Sequence, residues 1–181
     1  MNKQILFIHG GGEGAYEEDR KVAANLQELL GAAYNVRCPK MPNEGSTEFG
    51  AWKGQIAKEL IAQDGSKILV GHFLGGSLLL KYLSEEKVET PVAGLFLIAP
   101  SYWGLRVGQP ASTNCKKTLH QGCPKTCPLS FTIVAMTNGC RLRTSRSTQK
   151  KLPQATFHKF NSRGHQLNND LSEVARDIMR L

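Results

Sequence analysis

The sequence predicts an α/β protein built on one doubly wound, mostly parallel sheet with helices on both faces. Three observations predict it. Short apolar runs of strand length alternate with stretches of helical periodicity. The run Val92–Ala99 (VAGLFLIA) is apolar without alternation, as a strand buried on both faces must be. Finally, Lys67–Tyr82 (KILVGHFLGGSLLLKY) reads as strand, tight turn and helix, with Gly71, Gly75 and Gly76 around the turn. This turn has the shape of a G-x-S-x-G nucleophile elbow, in which small residues flank a strained position whose side chain stands above the strand ends. Phe73 occupies that position, and a phenyl ring cannot attack a carbonyl.

The elements follow in order. Gln4–Ile8 is a short buried strand, and His9-Gly10-Gly11-Gly12-Glu13-Gly14 is a loop whose glycines let backbone N–H groups approach a ligand. No G-K-[ST] follows, so it is not a phosphate loop of that kind. Glu17–Leu30 is helical, with acidic residues in its first turn and Val22, Ala23, Leu26, Leu29 and Leu30 at i, i+3, i+4 spacing; Gly31 stops it. Tyr34–Cys38 is a second strand and Pro39–Ser46 a loop. Phe49–Gln63 is a second helix burying Trp52, Ile56, Leu60 and Ile61, ended by the turn signal Asp64-Gly65. The elbow strand and helix come next, then Val92–Ala99, closed by Pro100. Ala155–Phe160 reads as the last strand and Asn168–Leu181 as the last helix, with Leu171, Val174, Ile178 and Leu181 on one face.

In such a sheet the site lies outside the carboxyl ends of the strands. That edge gathers Phe73, the Gly10–Gly14 loop and Ser101-Tyr102-Trp103. His165 lies between the last strand and the last helix, the place of the base in the chain order nucleophile, acid, His. His158, inside the strand, is the weaker candidate.

A length of 181 residues suits one domain, and 40% hydrophobic with 21% charged residues is ordinary for a soluble chain. The apolar stretch between Lys3 and His9 is too short for a signal-peptide core, and no run of about 18 apolar residues occurs anywhere. A cytoplasmic location and no membrane partner are therefore expected. The net charge of +8 invites a nucleic-acid partner. However, seven basic residues and no Asp or Glu lie between Leu105 and Gln149, which leaves the rest of the chain near neutral. The basicity belongs to one stretch rather than to a patterned face, so no nucleic-acid partner is expected.

That stretch also holds Cys115, Cys123, Cys127 and Cys140, with Cys38 alone upstream. A zinc site drawing on His120, Cys123 and Cys127 with Cys115 or Cys140 is conceivable, but the spacings fit no paired C-x-x-C pattern. No metal is expected.

Together IHGGGEGAYEED, KMPNE, LVGHFLGG, LFLIAP and RGHQLNNDLSEVA resemble the small α/β-hydrolase family of serine hydrolases that includes retinoblastoma-binding protein 9. The resemblance covers residues 1–104 and 150–181. It implies an α/β-hydrolase fold, hydrolysis of esters or related acyl compounds by a Ser–His–Asp triad, a small-molecule substrate, and no cofactor or metal. Carried over by position, Phe73 stands at the nucleophile and His165 at the general base. The oxyanion donors are the backbone N–H of Leu74 and one from Gly10, Gly11 or Gly12. The acid has no counterpart, since the resemblance places it in a loop after the next-to-last strand, within the stretch that lacks carboxylates.

Composition, charge and cysteine usage all change between Leu105 and Gln149, and the resemblance resumes at the border. A shifted reading frame accounts for this. Reading one nucleotide earlier permits an apolar strand followed by an acidic turn. One triplet there is not a free choice: Met136 is encoded only by ATG and Thr137 begins AC, so the overlapping triplet is GAC, an aspartate. One extra A near Lys150-Lys151 restores the frame, and Phe73 differs from a serine codon by a single transition. A decaying gene and an error in the read sequence both fit; a diverged basic, Cys-rich lid is the competing reading.

As written, the chain is expected to lack triad chemistry. Ser77, about one helical turn beyond the elbow, should point along the helix. Pro128–Met136 (PLSFTIVAM) remains apolar enough to pair as a strand, with the rest of the stretch loop-like or poorly ordered. The alternative function is a non-catalytic small-molecule binding module, its apolar pocket lined by Phe73, Tyr102 and Trp103.

Overall fold

The apolar runs form the strands of one sheet. In the structure, a computed structural model, residues 2–62, 65–100, 131–136, 156–160 and 164–181 are described. The strands are β1 (Lys3–Ile8), β2 (Tyr34–Arg37), β3 (Lys67–His72), β4 (Val92–Ile98), β5 (Phe131–Met136) and β6 (Thr156–Phe160). All neighbours pair in parallel, in the order β2-β1-β3-β4-β5-β6. Helices α1 (Ala15–Leu30), α2 (Phe49–Ile61), α3 (Phe73–Glu85) and α4 (Ser172–Met179) cover it.

Alternation along each strand divides the core into two layers. Ile5, Phe7, Ile68, Val70, Phe96 and Ile98 pack on Val22, Ala23 and Leu26 of α1 and on Val174 and Ile178 of α4. Leu6, Ile8, Leu69, Leu95 and Leu97 pack on Trp52, Ile56 and Leu60 of α2 and on Leu74, Leu78 and Leu79 of α3. Trp52 is fully buried, and its indole Nε1–H donates to the Pro42 carbonyl at 2.8 Å, so the largest core side chain also leaves no buried donor unpaired.

The FTIVAM run at 131–136 does pair. Leu95–Ile98 of β4 lie in register with Phe131–Val134, and Thr132–Met136 with Thr156–Phe160. The carboxyl end of β5 therefore points to the same edge as those of β1, β3 and β4. The remainder of 105–149, Tyr102 and Trp103, and the cysteines and His120 of the conceivable zinc site lie outside the described residues.

Two expectations need correction. Ile61 is 78% exposed rather than buried, because the buried face of α2 runs through Trp52, Ile56 and Leu60, and the residue after Leu60 turns about 100° away from it. The last helix is shorter than Asn168–Leu181. Leu167–Asn169 form a single 3-10 turn with left-handed φ at all three residues, and α4 begins only at Ser172, whose N–H is accepted by the Asp170 carboxylate at 3.0 Å. Asparagine tolerates that conformation and breaks the helix where apolar spacing alone continues it.

Candidate active site

The elbow forms where β3 ends at His72 and α3 begins at Phe73. Phe73 adopts φ 46°, a left-handed conformation that costs a side-chain-bearing residue about 1–2 kcal/mol. Glycines make the turn possible by close approach. A Cβ on Gly71 would lie 2.5 Å from the Gly76 Cα, and one on Gly75 would run into the carbonyl oxygens of Ile8 and His9. Helix α3 thus passes directly over the ends of β1 and β3, and position 73 is lifted above the edge. Its phenyl ring is half-buried and meets the His165 ring edge-on, with centroids 4.9 Å apart and planes at 80°. Ala99, just past β4, is also strained at φ 43°, so unfavourable backbone gathers at this edge.

The glycine loop after β1 offers fewer free donors than its sequence suggests. Gly10 N–H donates to Asp19 Oδ2 at 2.6 Å, and Gly12 N–H to the Glu44 carbonyl at 2.7 Å. Gly11 N–H is left without an acceptor among the described residues. Gly11 also touches the elbow helix: a Cβ there would overlap the Leu74 side chain and stand 2.6 Å from Thr47 Cγ2. Leu74 is the second residue of α3, so its N–H has no intrahelical partner. Gly11 and Leu74 are therefore the two residues whose uncommitted amides the fold brings together.

Sequence reasoning missed Asp19 and His72, which are 1% and 2% exposed. Asp19 Oδ2 and His72 Nδ1 are 2.7 Å apart, and His72 Nε2 lies 3.1 Å from the His165 carbonyl oxygen. The signal was present: Asp19 lies three and four residues before Val22 and Ala23, on the buried face of α1, where a carboxylate needs a partner.

His165 itself is exposed and sits in the turn before the 3-10 segment. Its ring centroid is 4.9 Å from that of His72. Partial desolvation, and then the charge of His72, hold its pKa below the ordinary histidine value, with Asp19 and Glu18 acting in the opposite direction. Among the described residues no carboxylate hydrogen-bonds its ring. His158 instead pairs with Asp177 of α4 at 2.8 Å. Ser77 Oγ donates back to the Phe73 carbonyl at 3.3 Å, along the helix. Burial pushes the Cys38 thiol up to about 12, which keeps it protonated and unreactive.

His9 is fully buried between the rings of Tyr16 and Trp52. Its Nδ1–H donates to the Gly10 carbonyl at 2.6 Å and its Nε2 accepts Met41 N–H at 2.9 Å, so the ring is held neutral. Burial lowers its pKa, only partly opposed by the Gly10 bond. For His9 and His165 alike, the unfolded chain takes up a proton near the ordinary value of 6.5 while the folded chain resists it. Their contribution to stability is complete above that value and is lost as the pH falls below it, down through the lowered folded values. In a histidine NMR titration the His9 ring should stay neutral at a pH where an unfolded histidine is protonated; a ring that protonates at the ordinary value would contradict the neutral His9.

A six-stranded parallel sheet with a strained elbow after β3, a glycine loop after β1 and a histidine after β6 defines an α/β-hydrolase fold. Solved structures agree. The ydeN gene product from B. subtilis superposes with TM-score 0.72 at 16% identity, over 99% of this chain and 98% of that one. CarC, a serine hydrolase involved in carbazole degradation, gives 0.70 at 16% identity, over 99% and 90%. Est1E from Butyrivibrio proteoclasticus gives 0.68 at 14%, over 99% and 87%. A search of curated protein sequences returned no match. The model of the serine hydrolase family matches residues 18–170, and the chain belongs to that family.

Proposed function

We propose that this chain is a serine hydrolase of the group that includes retinoblastoma-binding protein 9, acting on small acyl or ester substrates by descent, and that its catalytic set is incomplete as written. The observation that carries the reading is the left-handed Phe73 at the elbow, edge-on to His165. The backbone strain belonging to an elbow nucleophile is present, with the wrong side chain on it.

In a complete set, a serine at position 73 attacks the acyl carbon while His165 takes its proton, and the Gly11 and Leu74 amides receive the oxyanion. His165 then protonates the leaving group and activates water for deacylation. The acid that orients His165 belongs after β5. The shifted frame fits that place, because β5 ends at Met136 and the aspartate triplet overlaps Met136 and Thr137. The shifted frame would thus put a carboxylate at the carboxyl end of β5, on the same edge as Phe73 and His165. No helix among the described residues is long and apolar enough to cross a membrane.

A fluorophosphonate probe, which phosphonylates an activated serine, tests the reading. The chain as written should not label. The chain with Phe73→Ser and the alternative frame across 105–149 should label at position 73 only. Labelling of the chain as written would mean that another serine, Ser77 first among them, is activated. One observation favours a second reading: Phe73 packs half-buried on the core beside His165, so the site offers an apolar ring where a substrate would sit. Saturable binding of apolar esters without turnover, lost in Phe73→Ala, would support a binding module.

A further inference from the structure

We propose that the buried Asp19–His72 pair is a positioning device for His165, and that helix α1 carries the His165 loop. This rests on reading His165 as the base. Asp19 Oδ2 accepts two bonds, from Gly10 N–H at 2.6 Å and from His72 Nδ1–H at 2.7 Å. The other ring nitrogen, Nε2, faces the His165 backbone carbonyl at 3.1 Å. A carboxylate and a carbonyl offer only lone pairs, so His72 donates from both nitrogens. One carboxylate therefore fixes the glycine loop, the last residue of β3 and the backbone of the base.

Two further bonds attach the same segment to the same helix. Gln166 Nε2 donates to Glu18 Oε2 at 2.8 Å, and Leu171 N–H to Asn25 Oδ1 at 3.1 Å. Glu18, Asp19 and Asn25 all belong to α1. The loop is hung at three points from an element far in sequence from the altered stretch. Through these ties α1 holds His165 facing position 73. Neither Asp19 nor His72 needs to touch a substrate, since both act through the backbone they hold.

The pair also supplies charge beside the base. Among the described residues, the charged and titratable groups facing His165 are His72 on β3 and Asp19 and Glu18 on α1; the cationic ring opposes a proton on His165 and the two carboxylates favour one. Removing the His72 charge removes the opposing influence, an effect that a purely structural role would not have.

The test is histidine NMR on the full-length chain, unmodified and as Asp19→Asn, His72→Gln and the remote control Asp177→Asn. In the unmodified chain His72 should show hydrogen on both ring nitrogens. In His72→Gln the His165 titration should move upward. In Asp19→Asn the Gly10 amide should exchange about tenfold faster, having lost a charged acceptor. Asp177→Asn should leave both readouts in place. A His72 ring bare at one nitrogen in the unmodified chain overturns the proposal, and that result needs no variant to fold. So does a His165 titration that stays put in folded His72→Gln. If these shifts occur while the repaired chain hydrolyses no ester, the positioning role stands and the hydrolase reading fails.

Discussion

Phe73→Ser combined with the alternative frame across 105–149 should raise hydrolysis of p-nitrophenyl acetate by about 10⁶-fold over the chain as written. The size follows from what is missing. Without a nucleophile only binding and the oxyanion donors remain, so the written chain should sit near that residual level. Repairing the frame alone should change nothing, because an acid that orients His165 has no serine to serve. Phe73→Ser alone restores nucleophile and base without the acid, and should stay about 10⁴-fold below the doubly repaired chain. The four chains form a cycle whose effects do not add, as expected of residues that act as a unit. Full activity from Phe73→Ser alone would sink the shifted-frame account, since it would show that no acid from 105–149 is needed.

Asp19→Ala should be the most damaging single substitution in the described part of the molecule, costing about 3–5 kcal/mol. The side chain is 1% exposed and accepts from two buried donors, Gly10 N–H and His72 Nδ1–H. Alanine leaves both without an acceptor. A loss of that size is a large share of the stability of an ordinary domain, so the urea midpoint should fall far or the chain should fail to fold. Asp19→Asn, which keeps an oxygen of similar reach, should lose much less. Equal urea midpoints for Asp19→Ala and the unmodified chain would show that the pair contributes nothing net.

Much of this molecule could be read from its residues because its strands are buried on both faces. A run such as VAGLFLIA has no other comfortable setting, and the glycines at 71, 75 and 76 fit only a turn in which helix and strand nearly touch. The chemistry was less legible. Asp19 was absorbed into the acidic first turn of a helix, and its partner is 53 positions away, so nothing local announces the pair. Which glycine amide stays free was equally hidden, because it is decided by Asp19 and by the Glu44 carbonyl from another loop. Ile61 misled for a different reason: apolar spacing was counted through the end of α2, where the covered face had already turned away. The break at 167–169 had a local sign in its two asparagines, outweighed by the apolar residues on either side.

The central claim is that a serine hydrolase lost its nucleophile by one base change and its acid by a shift of frame. Sequencing the coding DNA through codon 73 and from Trp103 to Leu152 tests it most directly. The account predicts that the frame one nucleotide earlier is open over that interval, encodes an apolar strand followed by the acidic turn around GAC, and rejoins at an A-rich run near Lys150-Lys151. Stop codons in that frame, or a frame that encodes neither strand nor acidic turn, would contradict it and leave a diverged basic segment on a hydrolase fold.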